Sequence, residues 1–93
     1  MPSVGAFEGF KKGIMREELL NAIHDEVNRA KGLYPKFHSL HEGYGVLLEE
    51  VDELWDMIKA SKLIKADDRM KAEAIQIAAM AVRFIEDLYD AGE

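Results

Sequence analysis

The sequence predicts an all-α domain: an antiparallel bundle of three main helices whose core is completed by oligomerisation. Three observations carry this. Apolar residues recur at spacings of three and four through three long segments, nothing alternates with a period of two over a useful length, and capping residues or glycines stand at the segment ends. With 93 residues the chain holds one domain, and a fold of that size hides only a modest share of its surface, which favours a partner copy.

Residues 1–13, with Gly5, Gly9 and Gly13 around Phe7 and Phe10, keep no sustained period and read as a loosely ordered N-terminal arm preceding the helices. From Ile14 to about Lys31, Leu19, Leu20, Ile23, Val27 and Ala30 recur at helical spacing, and Gly32 stands where a helix ends. Pro35 disfavours helical geometry at Tyr34, so Gly32 to Leu40 is a connection whose aromatics, Tyr34 and Phe37, must pack on something or bind something. Ser39 followed by Glu42 is a capping-box pattern that opens a second helix running to about Ser61, with Leu47, Leu48, Val51, Leu54, Trp55 and Ile58 as its core face. Gly43 and Gly45 in its first turns suggest either the close approach of a ligand or tight helix packing. Asp67 or Asp68 caps a third helix that continues to about Asp90. Ile75, Ala78, Val82, Ile85 and Tyr89 line one side of it with Ile77, Ala81, Phe84 and Leu88 beside them, so this helix must be buried.

Composition narrows the function classes. Twelve Lys and Arg against 18 Asp and Glu give a formal charge of −6, and the basic residues are spread along the chain, which disfavours duplex nucleic acid as a partner. The absence of Cys excludes disulfides, thiolate zinc sites and cysteine nucleophiles and fits a reducing, cytoplasmic setting. No apolar run approaches the roughly 20 residues of a membrane span, and Met1 to Gly13 lacks the apolar centre of a signal peptide.

The chemistry-bearing residues are carboxylates. Glu50 and Glu53 are surface neighbours one turn apart on the second helix, and Glu49 reaches toward Glu53 from four residues away. Crowded carboxylates oppose a helix unless water screens them or a cation sits among them, and hard divalent ions prefer oxygen ligands. The run Glu49, Glu50, Asp52, Glu53 and Asp56 therefore fits either a solvated face or a cation site. On the third helix a polar stripe of Glu73, Gln76, Met80, Arg83 and Asp87 faces something specific or the helix's only wet edge. If the two helices pack antiparallel, Glu73 and Gln76 approach Glu50 and Glu53 and form a metal cradle. His24, His38 and His41 show no paired metal spacing, and no E-x-x-H motif marks a ferritin-like di-iron site.

These residues carry a resemblance. Glu49-Glu50-Val51-Asp52-Glu53 matches an E-E-x-x-E motif, and Glu73 opens what resembles the second motif, E-x-x-D, at a distance of 73 − 53 = 20 positions. The chain resembles the MazG-like, all-α nucleoside triphosphate pyrophosphohydrolases, the superfamily that also includes the dimeric dUTPases. The match covers helices two and three, and the stretch from Tyr34 to Tyr44 is similar to that of small MazG-like proteins. The resemblance implies a homodimer or homotetramer that hydrolyses a nucleoside triphosphate between its α and β phosphates with Mg²⁺, or Mn²⁺, as cofactor. It implies Glu50, Glu53 and Glu73 as metal ligands and Glu49 as a ligand or as the group orienting the attacking water, so that Glu49, Glu50 and Glu53 form the catalytic set. Gln76 stands where the motif has Asp; its amide oxygen can coordinate but brings no charge, which opens the alternative of a catalytically impaired nucleotide- or metal-binding or helical interaction module. Arg83 and Asp87, further along the stripe, can serve as phosphate clamp and outer ligand or simply pair with each other. Lys36 and Tyr44 complete the candidate substrate contacts, the tyrosine by stacking on a base or by packing.

Overall fold

The computed structural model of the protein describes residues 14–89; the N-terminal arm anticipated at 1–13 lies outside them. Three helices form, α1 (Arg16–Leu33), α2 (Leu40–Ala60) and α3 (Asp68–Leu88), and no strand occurs among the described residues. Among these residues no helix is long and apolar enough to cross a membrane.

Each boundary has a local cause. α1 runs through Gly32 and stops at Tyr34, which Pro35 forces into an extended conformation (φ −129°, ψ 147°). Ser39 caps α2 by accepting from the Glu42 backbone N–H at 3.0 Å, while the Glu42 carboxylate returns to the N–H of His38, one residue beyond the usual capping-box donor. Asp67, not Asp68, caps α3, its Oδ1 accepting from Met70 N at 2.9 Å.

α3 is the central element, with α2 antiparallel along one flank and α1 along the other; α1 and α2 do not pack on each other. The core is small: Val27, Ala30, Phe37, Ala79 and Met80 are buried, and Ile23, Val46, Leu47, Val82, Phe84 and Leu88 surround them. Gly43 lets α2 and α3 approach closely, since a Cβ there would stand 2.7 Å from Phe84 Cδ2 and 2.9 Å from Leu88 Cδ1. Helix packing is thus the reason for that glycine, whereas Gly45 has open space around it.

Two expected core faces are corrected. On α2 the seam turned to α3 is Gly43, Leu47, Glu50, Leu54 and Met57, so of the anticipated core residues only Leu47 and Leu54 are half-buried. The residues one position further on, Tyr44, Leu48, Val51, Trp55 and Ile58, form a second seam that stays exposed, with Trp55 54% accessible. The cause is the glycine: α3 settles where the missing side chain admits Phe84 and Leu88, about 100° around the helix from the more apolar seam. On α3, Ile85 and Tyr89 are likewise exposed, at 60% and 72%, because no described element covers the back of that helix.

Candidate metal centre and adjoining cavity

With α1 and α2 on its two flanks, α3 turns its polar stripe into the crevice between them. Glu73 and Arg83 are buried and Gln76 and Asp87 half-buried, so this stripe is an interior feature and not a wet edge. Its two ends differ in chemistry.

At the end near the start of α3, Glu73 meets Glu50 and Glu53 across the antiparallel pair, with ligand-type oxygens of all three within 4.8 Å of one another. Like charges at that range oppose one another strongly where water is scarce. Burial, then the hydrogen bond and charge of Glu50, then those of Glu53, push the Glu73 carboxyl up to about 8, so it holds its proton at neutral pH. Glu50 Oε1 and Glu73 Oε2 are buried with no hydrogen-bond partner. With all three carboxylates ionised the chain supplies no donor to these acceptors, a deficit that a hard divalent cation satisfies, and the donor set fits Mg²⁺ or Mn²⁺. These three carboxylates could hold a metal ion.

At the other end the stripe is tied into the connection between α1 and α2. Arg83 Nη2 donates to Pro35 O at 3.0 Å, and its guanidinium carbon lies 4.4 Å from the centre of the Phe37 ring. Asp87 Oδ2 accepts from Phe37 N at 3.0 Å and lies 3.9 Å from Arg83 Nη2. The pair therefore anchors Pro35 to Phe37 onto α3 from a distance of 48 to 50 residues in sequence. Arg83 Nε is buried without a partner.

Between the two ends lies a cavity of about 380 Å³. Ala30, Tyr34, Pro35, Phe37, Val46 and Met80 supply its apolar and aromatic walls, and its polar groups are Glu26, Arg29, Glu42, Glu50, Gln76 and Arg83. Glu50 belongs to both the carboxylate cluster and the cavity wall. At the cavity's edge Arg29 forks onto Glu26, at 2.9 and 2.6 Å, and that hydrogen bond holds the Glu26 carboxyl below its ordinary range.

The sequence-derived candidates distribute unevenly over this arrangement. Glu50, Glu53 and Glu73 meet; Gln76 and Arg83 line the cavity; Glu49 is exposed beside the cluster. Tyr44, 60% accessible, lies on the outer seam of α2 and does not line the cavity, and neither does the exposed Lys36. Asp87 sits 14 residues beyond Glu73, about 21 Å along the helix, and its carboxylate is spent on Phe37 and Arg83, so it is not an outer ligand of the cluster. Glu26 and Arg29 entered no sequence argument; their three-residue spacing is that of any surface ion pair, and only the fold turns them to the cavity. Comparison of the chain with models of known protein families, with curated proteins and with solved structures gives no match.

Proposed function

We propose that this protein is a Mg²⁺-dependent nucleoside triphosphate pyrophosphohydrolase of the MazG-like kind, cleaving between the α and β phosphates to give a monophosphate and pyrophosphate. The observation that carries the reading is the convergence of Glu50, Glu53 and Glu73 from two helices beside a cavity that shares Glu50 as its wall. When bound, the ion neutralises phosphate oxygens and polarises a water for in-line attack. The chain does the rest. Glu50, Glu53 and Glu73 would hold the ion, Glu73 giving up its proton on binding it. Glu49, exposed and one turn before Glu53, is the carboxylate left to orient the water. An acidic chain of net charge −6 repels a triphosphate on its own, so the three-carboxylate site would accept one only with an ion in place.

Gln76, standing where the motif has Asp, favours a second reading: a module that binds nucleotide and does not turn it over. Pyrophosphate release from the common nucleoside triphosphates in Mg²⁺ and in Mn²⁺ separates the two. The proposal expects product, lost in Glu53→Gln while the melting transition persists; binding without product selects the second reading. Neither binding nor product, with a melting temperature indifferent to Mg²⁺, overturns both.

The same proposal includes assembly as a symmetric homodimer or homotetramer, supported by the outer α2 seam, whose alternating spacings of four and three are those of a helix pairing surface. Sedimentation is expected at a multiple of 10.5 kDa, with Trp55→Glu shifting it toward the monomer. A wild-type monomer contradicts the assembly.

A further inference from the structure

We propose that the turn between α2 and α3, together with the first turn of α3, docks the protein on an anionic lipid bilayer, with Leu63 and Ile64 entering the headgroup boundary and Lys62, Lys65, Arg69 and Lys71 meeting the lipid phosphates. The inference stands apart from the hydrolase reading and needs neither cation nor nucleotide.

Charge is unevenly distributed along the chain. Although basic residues occur throughout it, residues 61–71 hold four of the twelve, beside only two of the eighteen acids, Asp67 and Asp68, so this stretch carries +2 and the remaining residues −8. The Asp67 carboxylate is turned onto the backbone, accepting from Met70 N at 2.9 Å. Lys62, Lys65, Arg69 and Lys71 are all exposed, and among the described residues none of them forms an ion pair, unlike Lys31, held by Glu86, and Lys59, held by Asp56. The molecule is 51 Å long, whereas at physiological salt an exposed charge is felt over about 8 Å. An anionic surface that approaches this end therefore meets the basic residues and not the net charge.

The apolar pair sits in the middle of that charge. Ile64 is 100% accessible and Leu63 61%, and the two stand between Lys62 and Lys65, with the Leu63 N–H tied to Ser61 Oγ at 2.9 Å. Lysine stems can follow such side chains into the boundary while their ammonium groups stay with the phosphates. Neither Leu63 nor Ile64 belongs to the outer α2 seam, so assembly through that seam does not call on them. The turn lines neither the cavity beside Glu50 nor a smaller one between α1 and α3, so it offers a peptide no groove. Residues 61–71 contain no aromatic ring on which the bases of a single-stranded nucleic acid could stack, and free phosphate has no use for an apolar pair. A fluid anionic bilayer answers both the charge and the apolar side chains.

The test mixes the intact protein, in EDTA, with vesicles of phosphatidylcholine alone or with about 30% phosphatidylglycerol added. Cosedimentation is expected to show at least about tenfold tighter binding to the anionic vesicles, most of it lost in about 0.5 M NaCl. Lys65→Glu should weaken that binding about tenfold, whereas Arg16→Glu, an exposed site on α1 with the same change of net charge, should alter it by less than about twofold. The double variant Leu63→Ser, Ile64→Ser should also lose about tenfold while its melting transition persists, because both side chains are exposed. Wild-type protein that binds both vesicles equally, or neither, overturns the proposal. Equal losses in Lys65→Glu and Arg16→Glu reduce the effect to overall charge and overturn it as well. Undiminished binding by the Leu63 and Ile64 double variant makes the turn a patch for phosphate anions and removes the bilayer as its partner.

Discussion

The two ends of the α3 stripe are built from the same kind of polar residue at the same helical spacing, yet one pairs opposite charges and the other sets like charges together. Around Arg83 and Asp87, opposite charges, a backbone carbonyl and a backbone amide answer one another. Around Glu73 three carboxylates face each other, and a proton is the only counterion the chain can find. Buried polar groups that satisfy one another hold a fold, whereas those left in conflict store free energy that a ligand can release. An end that ties the chain together and an end that could hold a metal ion are thus separated within a single helix face.

Replacing Asp87 by Ala should break the comparison at its charge-paired end. It strands the Phe37 N–H and leaves Arg83 as an uncompensated buried charge, for an expected loss of about 3 to 5 kcal/mol, read from the urea midpoint. Glu73→Gln should act in the opposite direction: at pH 9 without metal it removes one of three opposed charges and raises stability by roughly 1 to 3 kcal/mol, while abolishing the upward shift in melting temperature expected of the wild type in Mg²⁺. A destabilised Glu73→Gln protein would mean that the carboxylates are not in conflict.

The smallest effect is the dependence on pH. Glu73 titrates at about 8 in the folded chain and near 4.5 when unfolded, so between those values the folded state holds more protons. Its contribution is whole below the unfolded value and is lost as pH rises through the folded one. Melting temperature in EDTA should therefore fall from pH 5 to pH 8.5, and the increment given by saturating Mg²⁺ should grow over the same interval as the ion no longer competes with a proton. The Arg29-held Glu26 works the other way, and its contribution disappears only as pH drops below the ordinary carboxylate range.

Much of this is legible in the sequence. Helical spacing gave three helices, Ser39 and Asp67 are caps for the reason their positions suggest, and antiparallel neighbours joined by a short link brought Glu73 opposite Glu50 and Glu53. The face that α2 would bury was not readable. The face read from the sequence, Leu47, Leu48, Val51, Leu54, Trp55 and Ile58, straddles two seams offset by one residue, and close approach at Gly43 selects the one through Leu47 and Leu54. Periodicity states that a seam exists and not which neighbour claims it. The cavity was equally hidden, because the acceptor that anchors Arg83 is the carbonyl of Pro35, a group every residue possesses and no pattern displays.

Gly43 carries a consequence that reaches the carboxylates. Two antiparallel helices can slide along one another in steps of about one turn, 5.4 Å, and a slip of that size would carry Glu50 and Glu53 out of reach of Glu73. The notch at Gly43 receives Phe84 and Leu88 at the alignment in which the three acids meet, so it works as an indexing mark for the pair. A residue with no functional group of its own thereby decides whether three distant acids share a point in space, and a single added methyl would act on the chemistry by shifting the ruler against which it is laid out.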